Sequence, residues 1–377
     1  MASEMLYPIM PIYLKSIGFS IVLIGILEGF AEAIAGLSKG YFGKLSDLSG
    51  KRVPFVRVGY ALSALSKPLM AFLVQPMWVF AVRTIDRVGK GVRTGARDAI
   101  LSDQSTAENK GKVFGFHRSM DTFGAVIGPA LALLYLYYNP SDYKTLFILA
   151  LLPGVLAVLA TLLLKETFTV PKEAAVKQSA FSFLTYLKSA PKAYRQLLVG
   201  LLLFALFNSS DVFLLLRAKE AGLDDTSVIG VYIFYNLVYA LCAFPIGILA
   251  DRWGLKAIFL VGLGLFVVVY VGMSFELNLV GCLALFACYG VYGAATEGVS
   301  KAWISNIAPR HETATAIGTY AALQSLCALL ASTVTGYLWY QFGATTAFLT
   351  TAVVTVVALV YLLSIPYSTR KTLADQT

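Results

Sequence analysis

The sequence predicts an all-α membrane protein of two parallel six-helix bundles, and three observations predict it. The 377 residues are 58% hydrophobic and only 14% charged, with a mean hydropathy of +0.73, too apolar for a soluble domain of this length. Apolar runs of about 20 residues, the length that crosses a hydrocarbon layer at 1.5 Å per residue, follow one another with short polar breaks. A loop pattern also recurs 204 positions apart, which points to a duplicated unit.

The apolar segments fall at 20–43, 54–75, 77–102, 113–138, 145–164, 196–216, 228–250, 257–275, 278–305, 314–340 and 344–365. The stretch from Met1 to Leu14 is too short to span and lacks the basic leader of a signal peptide. It reads as the outer half of a first helix, apparently truncated. The longest polar stretch, 166–195, separates an N-terminal bundle at 1–165 from a C-terminal bundle at 196–377.

Lys and Arg in the loops set the orientation. Seventeen lie on one side, including Lys44, Lys51, Arg52, Arg57, Lys172, Lys177, Arg370 and Lys371, against Lys15, Lys144, Arg217 and Lys219 on the other. The positive-inside rule makes the crowded side cytoplasmic. The expectation is a multi-pass protein of the cytoplasmic (inner) membrane with a cytoplasmic C-terminus.

The net charge of +9 has the same explanation, so nucleic acid is not the expected partner. Cys242, Cys282, Cys288 and Cys327 lie in apolar segments without CxxC spacing, and the only histidines are His117 and His311. The cysteines read as core residues, and no metal or cofactor is implied.

The repeat consists of Gly43, Asp47, Gly50, Lys51 and Arg52 after one span and Gly247, Asp251, Arg252, Gly254 and Lys256 after another, both fitting G-x-L-[SA]-D-x-x-G-x-[RK]. This loop resembles the signature of the major facilitator superfamily between its second and third helices. The resemblance implies that each aspartate caps a neighbouring helix N-terminus and bonds to basic residues, locking the cytoplasmic side until transport loosens it. Gly115, Gly124, Gly128 and Pro129 are similar to the first part of the family's antiporter signature, with Ala132 and Leu133 in place of its closing glycine pair. Arg87 to Gly91 resembles R-x-x-Q-G with Lys90 for glutamine. The wider run from Asp86 to Ala99, with Ser3 to Pro8 and Gly115 to Asp121, looks like a bacterial branch of the superfamily with drug/proton-antiporter-like motifs.

The charges inside the spans carry the site prediction. On a helix, Arg83, Asp86, Arg87, Lys90, Arg97 and Asp98 fall within an arc of about 120°, with Arg93 just outside. Buried charge is expensive unless paired or wet, so this stripe must line a cavity or a network. Glu28, Glu32 and Lys39 share a face of the second span, Lys67 precedes Pro68 in the third, and Arg118 and Asp121 lie in the fifth. In the C-terminal half Asp211, Glu297 and Lys301 stand out, the last two at helical pairing distance.

Glu28, Glu32, Asp86 and Asp121 are the proton-coupling candidates, because coupling needs a buried carboxylate that exchanges partners. Arg83, Arg87, Lys90, Lys67, Arg118, Asp211, Glu297 and Lys301 are the cavity candidates, and Asp98 belongs with the gating loop. The tyrosines at 7, 232, 235, 239, 289 and 292 suit either packing or a cavity wall.

With no P-loop, nucleophile elbow or HExxH, no enzyme is expected and ion coupling replaces ATP. The expected function is proton-coupled export of a small organic molecule by a monomer whose partners are that solute, protons and the lipid bilayer. The alternatives are import of an organic anion along the basic stripe and a non-transporting membrane sensor.

Overall fold

The computed structural model describes residues 2–7, 9–166, 182–223, 225–275 and 278–366. Lys172, Lys177, Arg370, Lys371 and half of the polar stretch 166–195 lie outside the described residues, as does the side chain of Glu28.

Among the described residues there are helices and no strand, as a hydrocarbon solvent requires of a chain with no closed barrel. In chain order they are α1 Ala2–Leu6, α2 Met10–Ser16, α3 Ile21–Ser49, α4 Val53–Leu69, α5 Pro76–Asp103, α6 Lys110–Tyr138, α7 Tyr143–Leu149 and α8 Leu151–Leu162. There follow α9 Tyr186–Ser189, α10 Lys192–Ala205, α11 Val212–Glu220, α12 Asp225–Trp253, α13 Leu255–Gly272, α14 Leu279–Ile307 and α15 Thr313–Ser364. By length and apolarity α6, α7 with α8, α12, α13, α14 and α15 each suffice to cross a membrane. The 28-residue α5 is long enough, but it carries the charged stripe.

The ends follow local chemistry. Ser20 accepts from the Leu23 N–H at the start of α3, Asn278 from Gly281 at the start of α14, and Asp142 from Thr145 at the start of α7. Gly50 ends α3 in the left-handed conformation at φ 65°, the usual glycine stop. In α15 the backbone breaks at Gly343, φ 84°. The spans expected at 314–340 and 344–365 therefore meet at one residue with no loop. Residues 206–211 interrupt the span expected at 196–216, giving α10 and α11.

The chain forms two compact units, each drawing on both halves of the sequence. Unit 1 comprises Met1–Ile100, Gly124–Ser189 and Arg310–Ala322. Its apolar core joins the N-terminal segment to α4, α5 and α7 through Met10, Tyr13, Leu14, Met70, Val79, Val82 and Phe147. Tyr13 donates to the Met70 carbonyl at 3.3 Å and meets Phe147 edge-on at 4.8 Å. Unit 2 comprises Leu101–Phe123, Ala190–Pro309 and Leu323–Thr377. Its interior is aromatic: Phe204, Phe266, Tyr270, Tyr292 and Phe348 pack ring to ring.

Candidate functional site

In unit 1 the Asp47 carboxylate is buried at the loop end of α3. It accepts from both the backbone N–H and the hydroxyl of Thr315, at 2.7 and 2.8 Å, in the first turn of α15. Its other oxygen faces the fully buried Arg52 guanidinium at 3.2 Å. Arg52 donates further to the Arg310 carbonyl at 2.9 Å, and its own N–H and that of Val53 donate to Glu166. Helix N-termini favour anions through unpaired N–H groups and the helix dipole. Asp47 thus lies past the apolar part of α3, and burial pushes its carboxyl up to about 6 while Arg52 and Thr315 pull it down.

Unit 2 repeats the arrangement. Asp251 accepts from the backbone N–H groups of Gly111 and Lys112, both at 2.7 Å, in the first turn of α6. Its copy lacks the buried guanidinium: Arg252 is exposed, and Lys256 instead binds the carbonyls of Leu363 and Ile365 at the end of α15. Arg57 does the same in unit 1 at the end of α8, through the carbonyls of Thr161, Leu162 and Leu164. Lys51 is exposed.

The glycines allow these contacts. A Cβ at Gly43 would lie 2.5 Å from the Ala314 carbonyl oxygen, and one at Gly247 would collide with that of Gly111. Gly254, like Gly50, has positive φ. Gly115 faces Ala243 and Gly247 of α12 just as closely, so the first glycine of the antiporter-like run lies at a helix crossing. Gly124 is half-buried in the same helix, and Gly128 and Pro129 are buried, with α6 continuing through the proline.

The intramembrane charges form two clusters. In unit 1 Lys67 and Asp86 pair directly, Arg83 approaches Asp86 at 3.7 Å, and Ser66 donates to it at 3.3 Å. All three charged side chains are nearly inaccessible, and they border a small pocket with Ser3, Met10 and Phe147. Arg87 is buried on the next turn. Lys90, Lys39, Arg87 and Arg83 act electrostatically on Glu32. Arg97 holds the buried Asp98 at 2.9 Å, and Arg93 donates to Ser63 at 2.7 Å.

In unit 2 Arg118 of α6 binds Glu297 of α14 at 3.0 Å and Asp121 at 3.3 Å, and it donates to the Tyr239 hydroxyl of α12. Glu297, expected to face Lys301 on its own helix, thus has a cationic partner on another helix. Lys301 is half-buried one turn away. Asp211 lies in the break between α10 and α11 and accepts from Tyr235 and, at 3.5 Å, from Ser210. Thr315, Arg310 and Glu166 carry no sequence signal that singles them out, because their partners lie 113 to 268 residues away.

A chain of membrane-spanning helices with a duplicated, helix-capping loop and buried ion pairs is built as a transporter of the facilitator type. The family model described as Major Facilitator Superfamily matches residues 1–234 and 212–377. An uncharacterised MFS-type transporter of Methanocaldococcus jannaschii is 33% identical over 90% of this chain and 85% of its own. A multi-drug resistance efflux pump PmrA homolog of Lactococcus lactis is 24% identical over the same shares. The human organic anion transporter MFSD10 superposes with a TM-score of 0.82 at 17% identity, covering 96% of this chain and 95% of that one. The chain belongs to the major facilitator superfamily of membrane transporters.

Proposed function

We propose that this protein is a proton-coupled exporter of a small organic solute, working by alternating access in the cytoplasmic membrane with its C-terminus inside. The two sequence halves, 1–165 and 196–377, are the moving bodies in this reading. The reciprocal capping carries it: Asp47 of the first half holds the start of α15, and Asp251 of the second half holds the start of α6. Each contact is polar and made to a helix end, so a modest change in helix position breaks it and water can replace it. Glu32 and Asp86, ringed by Lys and Arg, and Asp121 beside Arg118 are carboxylates whose partners a proton or solute could exchange. Glu28, four residues before Glu32 in the sequence, is the fourth candidate. The efflux-pump relative supports the export direction.

The test is flux in proteoliposomes under an imposed pH gradient, with a panel of solutes. Gradient-dependent flux that Glu32→Gln and Asp86→Asn abolish is the expected result; no gradient-dependent flux for any solute, with both variants like the parent, overturns the coupling. Import of an organic anion is the second reading, favoured by the buried Arg83 and Arg87 and by Lys90. It fails if Arg87→Gln with Lys90→Gln leaves anion uptake unchanged.

A further inference from the structure

Resting on the transport reading above, we infer that unit 2 holds a binding site for an organic cation, a protonated or quaternary amine, with Asp211 as its counter-ion and tyrosine rings as its wall. Asp211 falls where the seventh span breaks, between α10 and α11. Discontinuous spans are where many transporter folds present backbone and charge to a substrate. An Asp at a helix start ordinarily caps it, but the Asp211 side chain makes no capping bond to α11. It accepts instead from the hydroxyls of Tyr235 and Ser210. Among the described residues it has no cation within ion-pair distance. A half-buried carboxylate at membrane depth with two hydroxyl donors and no counter-charge is costly unless a ligand supplies the charge.

The surroundings specify what that ligand is. Tyr235 stands edge-on to Tyr232 at 5.4 Å and to Tyr289 at 5.5 Å, and Tyr289 meets Tyr292 at 5.3 Å. Tyr289 is close enough to Asp211 for the two to interact electrostatically. Asn208, in the same break, donates to the Tyr292 hydroxyl at 3.1 Å. Tyr235 and Tyr289 each lie ten residues along their helices, about 15 Å from the end, so the wall sits deep in the span. Ring faces beside a carboxylate attract ammonium groups and repel anions.

The other charges nearby are accounted for. Arg217, on the turn after next of α11, is engaged by Glu220 and by the carbonyls of Met273 and Phe275. Arg118 of α6, which donates to Tyr239 one turn along α12 from Tyr235, is matched by two carboxylates, Asp121 and Glu297.

The test is equilibrium dialysis of the purified full chain in detergent with radiolabelled tetraphenylphosphonium. Saturable binding, displaced by benzyltrimethylammonium and not by benzenesulfonate, is expected. Asp211→Asn should weaken it tenfold or more, Asp211→Glu should retain most of it, and Tyr289→Leu should weaken it several-fold while Tyr289→Phe does not. Displacement by the sulfonate as well as by the amine, or unchanged affinity in a folded Asp211→Asn protein, overturns the site. Gradient-driven flux of non-cationic solutes would persist in that event, whereas failure of the transport reading would abolish flux and leave phosphonium binding intact.

Discussion

The carboxylate of Asp47 accepts two hydrogen bonds from Thr315, 268 residues away, while its equivalent Asp251 accepts two from Gly111 and Lys112. The two copies of one loop do the same work on different helices, but only the first encloses an arginine.

That difference sets the first prediction. Asp47→Ala strands the buried Arg52 guanidinium and should cost about 3 kcal/mol or more, whereas Asp251→Ala loses a helix cap worth about 1 kcal/mol. Thermal unfolding in detergent checks the order. Arg52→Ala added to Asp47→Ala should cost less than the sum of the single changes, giving a coupling energy of at least 1 kcal/mol.

Acidity should favour the Asp47 contact. Burial raises this carboxyl to about 6 from the ~3.9 of a solvated aspartate, so the capped state binds a proton more tightly than the released state. By linkage its stability relative to the released state rises as pH falls from 7 through 6 towards 4. Hydrogen exchange over 313–318, corrected for the intrinsic rate, should slow across that range in the parent. The Asp47→Asn protein should show no such slowing, and faster exchange at low pH in the parent would contradict the assignment.

The glycines separate contact from conformation. Gly43→Ala drives a Cβ to 2.5 Å from the Ala314 carbonyl oxygen, and the helices must part, at about 1–3 kcal/mol. Gly254→Ala meets no neighbour and strains only its own positive φ, at about 1 kcal/mol. Hydrogen exchange should rise at the start of α15 in the first variant and stay at the parent level there in the second.

The pair of Lys67 and Asp86 should behave as a unit. Lys67→Met alone or Asp86→Leu alone leaves one charge buried without its direct partner and should cost about 3–5 kcal/mol, while the two together, which take only the Asp86 contact from Arg83, should cost less than the sum. Unfolding of the three variants measures this, and additive losses would contradict it.

Much of the fold was legible because a lipid solvent writes helices as apolar runs, and ten of the eleven runs match helices α3 to α8 and α12 to α15. The break at 206–211 left a trace in the polar run from Asn208 to Asp211, but the apolar residues on either side carry a hydropathy window of about 20 residues across it, and hydropathy reports depth rather than backbone shape. The repeated loops were visible through spacing and glycine chemistry. What they grip was not, since a helix N-terminus offers backbone N–H groups that any residue supplies. The pairing of Glu297 was obscured for a related reason: helical periodicity points to Lys301 on the same helix, while Arg118 lies 179 positions earlier in the chain.

The central claim is that transport proceeds by making and breaking these helix-end contacts. Ser49 and His311, both exposed, flank the contact between Asp47 and Thr315. With Cys242, Cys282, Cys288 and Cys327 replaced by alanine, Ser49→Cys and His311→Cys can be joined by a short cleavable bis-maleimide, and solute flux measured in proteoliposomes before and after cleavage. The account predicts that the link stops flux and that cleavage restores it; flux at the unlinked rate with the link intact would contradict it.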